Sequence, residues 1–165
     1  MNLSFKLRLP FNRLFYCTLV ETEYCVGFNS NYKGGDWHFI FMDIDDTNIS
    51  DLRDELVRQQ KKYDLGEMIV TSDKVDSHRV WCFKQVQFKR MIEILCDNKF
   101  TNIEFIRWTT RKGCSTMRIG KKKGREEQVI VLKIEGKKNK IPPKIEKVVY
   151  ETARGKTVKV GNTND

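Results

Sequence analysis

Three aspartates stand together directly after an apolar run: Asp43, Asp45 and Asp46 follow the string WHFIFM. Side chains alternate faces along a strand, so Asp43 and Asp45 are expected to point the same way, about 7 Å apart at ~3.3 Å per residue. Two carboxylates so placed can share divalent ions. Hard oxygen ligands suit Mg2+ or Mn2+, which keep waters and take phosphate oxygens from a substrate. A pair of such ions activates an attacking oxygen and stabilises a leaving one in phosphoryl transfer. The competing reading is an acidic turn that caps the next helix, a role that suits Asp46.

Two further groups of residues could take part. His78 ends the polar stretch Ser72–Ser77 and opens the apolar run VWCF, where an imidazole can hold a nucleotide phosphate or act as acid or base. A structural or surface histidine is the competing reading, and His38, within WHFIF, is read as structural. Farther along, TTRKGCSTMRIGKKKGR gathers Arg111, Lys112, Arg118, Lys121, Lys122 and Lys123 around two glycines. Strand alternation would set Thr116, Arg118 and Gly120 on one face, and a basic residue beside an acidic metal site is what a triphosphate needs. An amphipathic strand followed by solvated lysines explains the same pattern.

The elements that must position these groups read as a mixed α and β chain. Residues 13–20 and 23–28 are rich in Phe, Tyr, Thr, Val and Cys and predict a hairpin. Trp37–Met42 predicts a buried strand. Ile49, Leu52, Leu56 and Val57 share a helical face, with Asn48 or Ser50 as the cap and Asp51 suiting the N-terminal dipole. Met68–Thr71 and Arg79–Phe83 read as strands around a polar turn. Phe88, Met91, Ile92 and Leu95 mark a second helix. Ile103–Trp108, Thr116–Ile119 and Val129–Ile134 read as strands. The order β-β-β-α-β-β-α-β-β-β predicts an α+β fold, an antiparallel or mixed sheet with helices on one face. Residues 1–136 are expected to form the domain. Residues 137–165 change character and predict a basic tail or a small hairpin at Val148–Tyr150 and Thr157–Val160.

Composition narrows the function classes. The chain has 165 residues, 39% hydrophobic and 32% charged, enough apolar material for one core. No window approaches ~18 uncharged apolar residues, so no transmembrane helix is expected. Lys6, Arg8, Pro10 and Arg13 interrupt the first apolar stretch, so no secretory signal is expected. The five cysteines lack any C-x-x-C spacing, which predicts reduced thiols in a cytoplasmic protein. The formal charge is +9, and residues 121–165 hold 13 of the 31 basic but only 6 of the 22 acidic residues. Such a gradient suits a polyanionic partner, with Lys137, Lys138 and Lys140 among the candidate contacts.

Taken in order, these motifs resemble the archaeo-eukaryotic primase superfamily. A strand ending in FMDIDD, then a helix, then a strand leading to SDKVDSHRVWCF match its hDhD and S-x5-H pattern over roughly residues 36–120. The resemblance implies an RRM-like catalytic sheet and template-dependent addition of nucleotides with Mg2+ or Mn2+. It implies Asp43 and Asp45 as metal ligands, Ser72 and His78 at the incoming nucleotide, and Arg118 and Lys121 at its phosphates. Its implied partners are nucleoside triphosphates, a single-stranded DNA or RNA template and a helicase or accessory subunit, at a nucleoid or viral replication site. The family's third motif supplies another aspartate after an apolar strand. This chain has none there, and Glu104, on the expected strand IEFIRW, is the stand-in.

Two rivals differ in class. DIDDT also fits the hhhhDxDxT motif of haloacid dehalogenase-like phosphatases, with Asp43 as nucleophile, Asp45 as acid and base, Thr71 or Ser72 next, and Lys74 or Lys84 as the lysine. That family needs a later acidic pair and a parallel doubly wound sheet. The other rival is a non-catalytic nucleic-acid-binding relative or replication subunit, in which Trp37, Trp81 and Trp108 stack on bases and the basic residues follow the backbone.

Overall fold

The computed structural model describes the backbone at residues 3–9, 13–19, 23–31, 35–119, 126–139, 147–153 and 156–162, and side chains at 26–31, 35–119 and 126–139. The elements run β1 (Leu3–Leu9), β2 (Arg13–Leu19), β3 (Glu23–Asn29), β4 (Trp37–Asp45), α1 (Ile49–Tyr63), β5 (Met68–Lys74) and β6 (Ser77–Gln87). They continue with α2 (Phe88–Asp97), α3 (Ile103–Lys112), β7 (Thr116–Arg118), β8 (Val129–Ile134), β9 (Lys147–Ala153) and β10 (Lys156–Asn162).

The class is α+β, and every strand pairing is antiparallel. The central sheet has the order β4-β6-β5-β8. Since β6 lies antiparallel between β4 and β5, those two run parallel, and the β4-α1-β5 connection is a split β-α-β unit. A second sheet has the order β10-β9-β3-β7, and β1 pairs with β2 alone. The N-terminal hairpin is therefore β1–β2, not the expected pairing of residues 13–20 with 23–28. Strand β3 pairs instead with β7 and β9. The antiparallel central sheet also rules out the parallel doubly wound sheet that the phosphatase reading requires.

Strand alternation gives the central sheet two buried faces. Ile40, Met42 and Ile44 of β4, Val70 of β5, and Val80 and Cys82 of β6 face Leu52 and Leu56 of α1 and Met91, Ile94 and Leu95 of α2. The alternate residues Phe39, Phe41 and Trp81 turn the other way and pack with Met117 of β7, flanked by Phe28, Ile69 and Phe83. Helices thus cover one face, and β3 with β7 covers part of the other.

Local signals explain the helices. Asn48 accepts the Asp51 amide at the start of α1, and Asp64 ends the helix in the left-handed region at φ 50. Gln59 donates to the Ile94 carbonyl (2.8 Å) and accepts from Asn98 (2.7 Å), so the buried polar groups between α1 and α2 are matched. The segment Ile103–Lys112 is a helix, which corrects the expected strand at IEFIRW. Asn102 Oδ1 accepts the amides of Glu104 and Phe105, Ile106 and Thr109 are buried three residues apart, and Gly113 closes the helix at φ 72. The β-rich composition of the segment loses to this capped period of three to four residues.

Candidate functional site: a carboxylate and arginine cluster on the central sheet

Asp43 and Asp45 lie at the C-terminal end of β4, on the same face as Phe39 and Phe41. Register places Arg79 opposite Asp43 and Ser77 opposite Asp45. Thr71 stands opposite Arg79 on the next strand, so Asp43, Arg79 and Thr71 form a row across three strands. Asp45 is held at both oxygens: Ser77 Oγ donates to Oδ1 (3.1 Å) and Asn102 Nδ2 to Oδ2 (2.8 Å). The Asn102 amide also donates to the Asp43 carbonyl (2.8 Å), which fastens the start of α3 to the end of β4.

Asp73 joins this row through a β-bulge. The β5–β6 register runs Ser72↔His78 and then Lys74↔Ser77, so Asp73 is an extra residue in the ladder. Its carboxylate is buried between two arginines, Arg79 at 3.2 Å and Arg118 in direct contact. Burial alone would push the Asp73 carboxyl up, but the two guanidinium groups together outweigh it and hold it below the usual range. Asp43 responds the opposite way. Its burial, reinforced by Asp45 and Asp73, outweighs Arg79 and Arg118 and pushes its carboxyl up to about 6. The cluster gathers three carboxylates and one guanidinium group from the central sheet and a second guanidinium group, Arg118, from β7.

Ser72 and His78 do not join it. Both lie on the helix-facing side of the sheet, with Ile44, Val70 and Val80, so the sheet separates them from Asp43 and Asp45. Ser72 Oγ donates to the carbonyls of Lys74 (2.6 Å) and Ser77 (2.8 Å), fixing the hairpin turn. His78 is buried and its Nε2 donates to the Thr47 carbonyl (2.9 Å), fixing the loop after β4. The structure thus gives both residues backbone partners on the face of the sheet opposite Asp43 and Asp45.

Glu104 is not brought in as a third ligand. It sits exposed in the first turn of α3, paired with Arg107 one turn on. Among the described residues, no group of three His, Cys, Asp or Glu side chains is placed to hold a metal ion. Arg111 and Lys112 end α3, exposed, with Arg111 over the Trp108 ring at 5.6 Å and Lys112 donating to Thr116 Oγ1 (3.1 Å). Lys137 and Lys138 are exposed beyond β8. Lys121, Lys122, Lys123 and Lys140 lie outside the described residues. His38 is structural as expected: its Nδ1 lies 3.1 Å from Ser30 Oγ and its ring packs on Phe88.

Sequence reasoning missed Asp73 and Arg79, which had been assigned to a polar turn and to the apolar strand after it. No local signal marks them: the strands are joined by the two residues Val75–Asp76, which lack the Asn-Gly or Asp-Gly pair by which so tight a hairpin is read from sequence. Among the described residues, no helix is long and apolar enough to cross a membrane. No protein-family model matches the chain, and no curated protein or solved structure matches it.

Proposed function

We propose that the chain is a metal-dependent nucleotidyltransferase of the primase-polymerase kind, acting on a single-stranded nucleic-acid template. The observation that carries this reading is the placement of Asp43 and Asp45 on one face of β4 beside Arg79 and Arg118. The placement of β6 between β4 and β5 supports the split β-α-β part of an RRM-like core, while β8 adds beside β5 and not beside β4.

Asp43 and Asp45 have the chemistry of Mg2+ or Mn2+ ligands. Such ions are commonly held by one or two carboxylates, with water and substrate phosphate completing the shell, so a third protein ligand is not required. When bound, the metal supplies charge neutralisation and an activated attacking oxygen. The chain's own groups do the rest. Ser77 and Asn102 hold Asp45 in place, and Arg79 and Arg118 offer guanidinium groups that match phosphate oxygens. Arg111, Lys112, Lys137 and Lys138, together with Lys121, Lys122, Lys123 and Lys140, supply positive charge for the template backbone.

The test is nucleotide incorporation on primed and unprimed single-stranded templates with Mn2+, wild type beside Asp43→Ala/Asp45→Ala. Incorporation that the double variant abolishes upholds the reading. Equal incorporation by both proteins, or none by either, refutes it.

A second reading is favoured by a specific contact: both arginines are already neutralised in part by Asp73. On that reading the chain binds nucleic acid without catalysis. Template binding with a steep salt dependence, no metal requirement and no incorporation would establish it.

A further inference from the structure

Beside the charged cluster, on the same sheet face, lies a shallow, open cavity of about 290 Å3 lined by Phe28, Thr71, Trp81, Phe83, Ile119 and Gln128. We propose that this cavity takes the nucleobase of a mononucleotide whose phosphates reach the Arg79 and Arg118 side of the cluster. The proposal rests on the nucleotide reading above and adds where the base sits and what recognises it.

Placement comes from the register. Thr71 is opposite Arg79, which is opposite Asp43, and strands lie ~4.8 Å apart, so the cavity begins about 10 Å from Asp43. Trp81 follows Arg79 by two residues, on the same face and roughly 6.6 Å along β6. A ribose and a short phosphate chain bridge such a span. Thr71, by register, and Gln128, by its bond to the Arg118 carbonyl, thus join the lining to the strands that carry Arg79 and Arg118.

The lining suits a flat ring. Trp81 is only 7% exposed and lies beneath the surface, while the partly buried Phe28 and Phe83 offer what ring surface is accessible. These rings are held by edge contacts: Phe28 to Trp81 at 6.4 Å, Phe41 to Trp81 at 5.1 Å and Phe39 to Phe83 at 5.7 Å. A base entering here meets surfaces already fixed by packing, so little side-chain freedom is lost on binding. Stacking on such surfaces tolerates any base, because every base presents a π face.

One polar edge can discriminate. Trp81 Nε1 donates to Thr71 Oγ1 (3.0 Å), and Thr71 Oγ1 donates to Gln128 Oε1 (3.0 Å). Gln128 Nε2 in turn donates to the Arg118 carbonyl (2.8 Å). This chain of bonds orients the Gln128 amide and ties the cavity to the strand that carries Arg118. A side-chain amide has two donors and two lone pairs, so Gln128 retains one of each for a base edge.

The experiment is calorimetric titration of the full chain with Mg2+ and, separately, ATP, inorganic tripolyphosphate and a five-nucleotide single strand. Wild type should bind ATP at least tenfold more tightly than tripolyphosphate. Phe83→Ala should weaken ATP about tenfold and leave tripolyphosphate unchanged. Ile119→Ala, at an exposed rim position, should do the same without disturbing the core or adding charge beside Arg118, and serves if the Phe83 variant does not fold. A variant effect on the oligonucleotide with none on ATP would overturn the mononucleotide site. Equal affinity for ATP and tripolyphosphate would overturn the pocket while leaving a phosphate site. Binding of neither would overturn the pocket and the nucleotide reading together.

Discussion

Replacing Asp43 with asparagine should make the protein more stable while removing a proposed metal ligand. Burial and two neighbouring carboxylates push the Asp43 carboxyl from 3.8 to about 6. A difference of roughly two units corresponds to about 3 kcal/mol at 1.36 kcal/mol per unit. Asp43 is only partly shielded from water, so about 2 kcal/mol is the working figure. The sign follows from linkage. The folded-state value is raised, so the ionised carboxylate destabilises the fold above pH ~6, and the penalty fades between pH ~6 and ~4 as the folded state takes up its proton first. Asparagine keeps the volume and shape and carries no charge, so no cavity forms. Thermal melts with a chelator present should then show Asp43→Asn above wild type by roughly 4–8 °C at pH 7.5, at 2–4 °C per kcal/mol for a chain of this size. The gap should close toward pH 4. Adding Mn2+ at ~100 times its dissociation constant should raise wild type by about 2.7 kcal/mol and narrow or reverse the difference. A melting temperature unchanged or lowered at pH 7.5, or a gain that persists at pH 4, would refute the reasoning.

Three more perturbations test the surrounding structure. Asp73→Asn leaves two buried guanidinium groups without their shared carboxylate and should cost about 3–5 kcal/mol, read from the urea midpoint; a loss below ~1 kcal/mol would show that the arginines find water instead. Asp97 is held below the usual carboxylate range by Lys62 first and then by Arg58, so it stabilises the fold above the unfolded value of ~3.9. Wild type should therefore lose its advantage over Asp97→Asn as pH falls from 6 to 3, and a constant gap across that range would contradict the pairing. Asn102→Ala removes the α3 cap and one partner of Asp45; about 1 kcal/mol of stability should go, along with a larger fractional loss of Mn2+ binding than Glu104→Ala causes.

The legible parts of the fold were those fixed by local physics. The run from Trp37 to Asp45 and the helix from Ile49 carry strong periods and a clear Asn48 cap, and both form. IEFIRW was misread because bulky β-formers outweighed the Asn102 and Gly113 signals that bracket a helix. Strand pairing was less accessible. The β1–β2 pairing is between sequence neighbours, but nothing local tells β3 to pair with β7 and β9, since those partners are distant in sequence. The site shows the same division. That Asp43 and Asp45 share a face follows from strand alternation alone. Whether His78 shares it depends on the register between β4 and β6, which sets His78 opposite Ile44, not opposite either aspartate. Asp73 was hidden for a related reason: a bulge breaks the alternation by which faces are counted.

That bulge couples the site to an irregularity of the backbone. Without the extra residue, β5 would pair evenly with β6 and the position now held by Asp73 would vanish from the ladder. Transplanting Asp43, Asp45, Arg79 and Arg118 onto an idealised sheet would therefore reproduce four of the charged groups and lose the one that gathers the arginines. A successful graft must carry the seven-residue strand from Met68 to Lys74 with its spare residue intact.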